Sequence, residues 1–175
     1  MHPLLLSLSG GDRRSVGESN RAVSAVLENH ELIDFLFQGL ETSDPVLRMR
    51  CADAIEKVTA KLPALLVPYK ERLLQRLSNI KQQEVRWHVA PMLARLPLTE
   101  GEEGAVVNLL LSYTNDRSSI VKTMAMQALT DIALRNRRRI PEIRQHIEEL
   151  SVIGTPAMKA RSKKLLALFS QAHHG

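Results

Sequence analysis

The sequence predicts an all-α protein in which one helical unit recurs, and three observations predict it. Hydrophobic residues make up 44% of the 175, yet aromatics only 3%, so Leu, Ala, Val, Ile and Met supply the apolar content and favour helix over sheet. Equivalent apolar anchors fall at Leu47, Val85, Val121 and Met158, spaced by 38, 36 and 37 residues, the signature of a stacked repeat. Three residues before each anchor stand Asp44, Gln82, Ser118 and Thr155, three of them good N-caps, and one residue after each stand Arg48, Arg86, Lys122 and Lys159. A helix pair cannot bury its apolar face alone, so such pairs must stack and equivalent side chains form ladders.

Taken in order, residues 1–15 contain Pro3, Ser7, Ser9, Gly10 and Gly11 without a sustained period, and are expected to form a flexible lead-in. Residues 16–172 are expected to form a single repeat domain. Val23, Val26 and Leu27 match one helix; Leu32, Ile33, Phe35, Leu36, Phe37 and Leu40 match a second, almost wholly apolar. The pair reads as an irregular terminal unit. Asp44 caps the next helix, Pro45 occupies its first turn, and Leu47, Cys51, Ala54, Ile55 and Val58 share its inner face.

After Pro63 and Pro68, residues Leu66, Tyr69, Leu73 and Leu77 lie three or four apart, which predicts the partner helix. The second copy, Glu84 to Leu96, carries Pro91 in its interior, where a kink or register shift is expected. Thr99 and Glu102 form a capping box ahead of a helix expected from Gly104 to Tyr113. Ser118 caps the third copy, with Val121, Ala125, Ala128, Leu129 and Ile132 inward. Pro141 opens its partner, which carries Ile143, Ile147 and Leu150 and ends at Gly154. Thr155 and Pro156 start the last copy, with Met158, Leu165, Leu166 and Phe169.

The run Asp44-Pro45-Val46-Leu47-Arg48, followed by Cys51-Ala52 and Ile55, resembles the Asp-Pro-x-Val-Arg-x-x-Ala-x-x-x-Leu core of HEAT repeats, relatives of armadillo repeats. Glu84-Val85-Arg86 keeps the Val-Arg element, Asn115-Asp116 stands upstream of Val121-Lys122, and Thr155-Pro156-Ala157-Met158-Lys159 keeps the turn and the basic residue. The resemblance covers roughly residues 30 to 170, with a repeat shorter than the ≈ 40 to 47 residues usual for HEAT units. The Trp and Tyr signature of tetratricopeptide repeats is missing. The resemblance implies a right-handed α-solenoid of about four HEAT-like helix pairs, irregular at the N-terminus, whose final helix lacks a partner.

The chain has one cysteine, Cys51, so it has no intrachain disulfide framework and no paired-cysteine metal site. A reducing cytoplasmic setting is expected. Leu4 to Leu8 is too short to serve as a signal or a membrane span, which needs about 20 apolar residues. Residues 1–115 hold 13 basic against 14 acidic side chains, whereas residues 116–175 hold 11 against 5. That imbalance suits an acidic partner, nucleic acid or a membrane surface, and equally a basic end that only solubilises the chain.

No Gly-rich phosphate loop and no nucleophile elbow occurs, so no cofactor and no catalytic residue is expected. His30-Glu31-Leu32-Ile33-Asp34 imitates a zinc-protease helix but has Asp34 where the second histidine belongs, so no metal is expected there. Cys51 reads as an inert buried thiol; Trp87 reads as a partly buried packing residue, the alternative that the resemblance offers being contact with damaged DNA by Trp87, His88 and Tyr113. The chain is therefore expected to be a non-catalytic protein-interaction module or scaffold. In HEAT stacks the second helices line the concave surface, which implies Lys70, Arg72, Arg76, Asn108, Arg144 and Gln145 as partner contacts. The alternative is nucleic-acid binding, with phosphate contacts at Arg137, Arg138, Arg139, Lys159, Arg161, Lys163 and Lys164. Against it, few aromatics are present to stack bases. A third class, an enzyme on the same architecture, requires a pocket holding a buried carboxylate beside an aromatic. The ladder of Arg48, Arg86, Lys122 and Lys159 is either internal pairing or a binding ridge.

Overall fold

A computed structural model describes residues 1–10 and 17–172, whose regular structure is all helical, with no strand among them. The chain divides into two units, residues 1–97 and 98–175. The division falls where Pro97 disfavours the helical conformation at Leu96, whose ψ is 146°.

The first unit comprises α1 (Pro3–Leu8), α2 (Ser19–Glu28), α3 (Ile33–Leu40), α4 (Pro45–Lys61), α5 (Lys70–Gln75) and α6 (Gln83–Arg95). Helix α4 is its centre and packs against α1, α2, α3 and α6. Asp44 caps it as the sequence predicts, its carboxylate accepting from Val46 N at 2.8 Å and Leu47 N at 3.3 Å. Because α4 meets neighbours on several sides, burial extends beyond Leu47, Cys51, Ala54, Ile55 and Val58 to Met49, Arg50 and Asp53.

Two elements of this unit differ from expectation. The predicted lead-in contains a helix, α1, because Leu5 and Leu8 bury against α3 and α4 while His2 stacks on Phe35 at 3.8 Å. Residues 11–15 of the predicted lead-in lie outside the described residues. The helix predicted after Pro63 is divided into a 3₁₀ run at Pro63–Tyr69, α5, and a 3₁₀ turn at Leu77–Asn79. Pro63 and Pro68 donate no backbone bond, which shortens the regular ladder, yet Leu66, Tyr69, Leu73 and Leu77 are still all buried. Helix α6 runs unbroken from Gln83 to Arg95 with Pro91 buried inside it.

The second unit comprises α7 (Glu100–Tyr113), α8 (Ser119–Arg135), α9 (Ile140–Ile153) and α10 (Pro156–Ala172). The Thr99 capping box forms, with Glu102 accepting from Thr99 N at 2.7 Å, and α7 begins there rather than at Gly104. Helix α8 packs against α7, α9 and α10 through Val121, Ala125, Ala128, Leu129 and Ile132. Helix α10 buries only the narrow stripe Met158, Ser162, Leu165 and Phe169. No helix among the described residues is long and apolar enough to cross a membrane.

Candidate functional site

The basic ladder is the first place to look, and in the first unit it is internal. Arg48 donates from Nε to Gln82 Oε1 at 2.9 Å and from its guanidinium to Thr42 O at 3.1 Å, while Gln82 Nε2 donates to Pro45 O at 2.7 Å. Arg86 donates to Ile80 O at 3.0 Å. Each arginine thus closes the turn that leads into its own helix. Gln82, in the position of a cap, makes no capping bond and reaches back to the preceding copy instead. Lys122 is half-buried and Lys159 exposed, and neither makes such a bond among the described residues.

The polar cluster around Asp53 was not singled out by the sequence, because its members come from three helices. Asp53 is only 7% exposed. Ser19 of α2 and Lys57 of α4 both donate to its Oδ2, the lysine at 2.8 Å, and His88 of α6 places Nε2 3.9 Å from Oδ1. Lys57 also donates to Asn20 at 2.9 Å, and Arg95 of α6 binds Glu56 of α4 at 2.6 Å. Burial pushes the His88 imidazole below its ordinary pKa, with Asp53 and Glu56 opposing and Lys57 assisting. Serine, carboxylate and histidine are therefore neighbours, but Ser19 is fully buried and donates to the carboxylate itself. A nucleophile needs a base against its own oxygen and access for substrate. The cluster ties α2, α4 and α6 together.

Trp87 is half-buried and meets His88 edge to face at 5.9 Å, and Tyr113 is buried. Asp34, the false second ligand of the zinc-like run, accepts from Tyr69 Oη, and burial followed by that bond raises the tyrosine's pKa. Among the described residues no group of three His, Cys, Asp or Glu is arranged to hold a metal ion. Burial, then Asp44, pushes the Cys51 thiol up to about 12.

The residues expected to contact a partner protein are distributed over α5, α7 and α9. Arg72 lies near the stacked Phe37 and Tyr69 rings, 5.9 and 5.8 Å from their centroids, and pairs with Glu41 at 3.3 Å. Arg76, 67% exposed, reaches the same glutamate at 3.5 Å, and Lys70 donates to Pro97 O at 3.0 Å. Asn108 is exposed; Arg144 pairs with Glu148 at 2.9 Å and Gln145 donates to Glu149 at 3.1 Å, both along α9.

The expected phosphate contacts separate into two groups. Arg137 and Arg138 are exposed in the 3₁₀ turn after α8, but Arg139 is held by Glu103 at 3.1 Å and Glu142 at 3.3 Å. Leu98, Glu100, Glu103, Asn136, Arg138, Arg139 and Glu142 line an open cleft of about 460 Å³, where three carboxylates outnumber two guanidinium groups. On α10, Lys159, Lys163 and Lys164 are exposed and have no carboxylate within ion-pair distance among the described residues. Arg161, half-buried, donates to Gln127 of α8 at 3.1 Å. Thr123 of α8 with Ala157, Ala160, Arg161 and Lys164 of α10 lines a shallow groove of about 260 Å³.

No known sequence family matches the chain, and no curated protein does. Among solved structures, the crystal structure of an engineered protein from the Northeast Structural Genomics Consortium is similar. It has a TM-score of 0.64 at 17% sequence identity, over 97% of this chain and 78% of that one. The likeness concerns the fold.

Proposed function

We propose that this protein is a non-catalytic protein-interaction module, a right-handed solenoid of about four HEAT-like helix pairs working in the cytoplasm. The observation that carries the reading is the equivalence of Arg48 and Arg86. Each spends its guanidinium on the carbonyl six residues earlier, and Gln82 joins the two copies. A ladder used in that way supports a scaffold whose repeats hold one another in place. The Asp53 cluster supports the same reading, since its buried groups satisfy one another and leave no nucleophile beside a base. A single buried thiol, Cys51, fits a reducing compartment.

The test is chemical crosslinking of the full chain in its native extract after nuclease treatment, followed by mass spectrometry. Reproducible crosslinks from its exposed lysines to one or a few proteins are expected. Crosslinks only to nucleic-acid-bound species that vanish with nuclease would sink the reading.

Exposed Arg137 and Arg138, beside the acidic-paired Arg139, favour a second reading in which the chain binds duplex nucleic acid. Its mark is affinity that falls steeply with salt.

A further inference from the structure

We propose that the face formed by α10 and the adjoining edge of α8 is the docking surface, and that its occupant is an acidic amphipathic helix of a partner protein. The proposal rests on the protein-interaction reading and gives that reading a site.

Helix α10 carries an unusual division of labour. Its inward stripe is the narrow run Met158, Ser162, Leu165 and Phe169, which leaves most of the circumference to solvent. The exposed part is not simply polar. Ala157, Ala160, Lys164 and Leu168 recur at helical spacing, and Leu168 is 36% exposed. Across the groove, Thr123 of α8 lies one turn beyond Ile120, a large apolar side chain left 51% exposed. Small residues let a second backbone approach closely, and Ile120 and Leu168 offer apolar contacts toward the two ends.

Charge selects the occupant. Lys164 and Arg161 line the groove, while Lys163 and Lys159 are exposed about 100° and 140° round α10 from Lys164, on its flank away from α8. No carboxylate lines the groove. Elsewhere in the same unit Arg139 is matched by Glu103 and Glu142 and Arg144 by Glu148, whereas Arg137 and Arg138 make no ion pair among the described residues. A groove of small residues that carries Arg161 and Lys164 and no carboxylate complements a helix that sets Glu or Asp beside Leu or Ile. The lysine stems also cover apolar surface while their ammonium groups meet carboxylates.

Duplex nucleic acid fits the same surface less well. Lys159 to Lys164 spans only about 8 Å of helix rise. Arg137 lies beyond the far end of α8, about 15 Å of rise past Gln127, which is level with Arg161. About four phosphate contacts on one short ridge would be weak at physiological salt. No aromatic ring belongs to α10's exposed face.

The test is fluorescence anisotropy with the full chain and three labelled probes: a side-chain-stapled helix of about 15 residues with Glu flanking a Leu stripe, the same helix with Lys for Glu, and a short DNA duplex. The double variant Lys163→Glu/Lys164→Glu reverses charge at exposed positions, and Ala160→Trp fills the groove without touching charge. The acidic helix is expected to bind saturably and at least tenfold more tightly than its lysine counterpart, and each variant to weaken it about tenfold or more. No saturable binding, equal binding of the two helices, or affinity unchanged in both variants would overturn the proposal. So would tighter binding of the duplex that both variants abolish. Crosslinking keeps the wider reading separate: native proteins still captured by Lys163→Glu/Lys164→Glu with full yield would remove this site and leave the interaction module standing.

Discussion

Arg48 and Arg86 occupy the same place in successive copies of one helix, and each closes the turn ahead of it by donating to the carbonyl six residues back, Thr42 O and Ile80 O. Arg48 does more, because its Nε also meets Gln82, whose amide in turn donates to Pro45 O. A planar guanidinium presents Nε and Nη donors at separate points of a rigid fork, whereas a lysine would have to reach both acceptors from a single nitrogen. Arg48→Ala is therefore expected to lower stability by about 1 to 2 kcal/mol, and Arg48→Lys to recover only part of it. Urea denaturation of both, with Gln82→Ala and the double variant, checks this. Additive losses would show that Arg48 and Gln82 do not act as one unit.

Acid should weaken the fold through two histidines. Burial lowers His88 despite Asp53 and Glu56, and burial lowers His146, bonded to Thr114 at 3.1 Å, despite Glu149. A histidine held below its ordinary 6.5 takes up a proton more readily when unfolded. Its contribution is thus fully present above that value and is lost as pH falls through 6.5 toward the folded value. Each can steepen the decline by at most about 1.4 kcal/mol per pH unit. His88→Gln and His146→Gln should each flatten stability measured between about pH 7.5 and pH 5; an unaltered slope in both would refute the assignment.

Gly39 of α3 lies tight against its neighbours: a Cβ there would overlap Cys51 Sγ of α4 and come within 2.9 Å of Leu5 Cδ2. Alanine normally gains about 1 kcal/mol over glycine inside a helix, but overpacking a full core costs about 1 to 3. The overlap should win, so Gly39→Ala is expected to destabilise. The buried Cys51 thiol, pushed up to about 12, gives an independent readout. Its labelling by a disulfide reagent should be slow in the native protein and faster in the variant.

Much of the helical framework is legible in the residues, and the limits have physical causes. Asp44, Thr99 and Ser118 mark helix starts because capping is local chemistry, and their bonds form where the sequence places them. Helix α1 escapes notice because six residues are too few to show a period, and only burial of Leu5 and Leu8 against distant segments makes it a helix. The Asp53 cluster escapes for a similar reason: Ser19, Asp53 and His88 are 34 and 35 residues apart, and nothing local announces their meeting. The basic ridge of α10 could be read from composition, but not the small-residue groove beside it, which needs α8 placed alongside.

Because α1 belongs to the core, Leu8→Ala should be costly. Leu8 is fully buried, and the neighbouring backbone is fixed by Arg50, which donates to Leu8 O at 2.9 Å and Gly10 O at 2.6 Å. Removing a buried leucine side chain costs about 2 to 5 kcal/mol. A thermal midpoint for Leu8→Ala equal to the parent's would mean that residues 3–8 detach without loss.

The Arg137–Arg139 turn should bind duplex DNA only weakly. Arg139 is committed to Glu103 and Glu142, so Arg137 and Arg138 supply about two phosphate contacts, and log affinity should fall with log salt at a slope near −2. Glu103→Gln releases half of that hold on Arg139, removes a negative charge from the cleft, and should steepen the slope toward −3. Arg137→Gln/Arg138→Gln should abolish the interaction at all but the lowest salt. Titration of a labelled duplex from about 20 to 200 mM salt distinguishes these slopes, since the range covers a tenfold change. A parent slope of −6 or steeper would mean that the turn and the α10 lysines act on one duplex together, contrary to the separation of the two groups along α8 and α10.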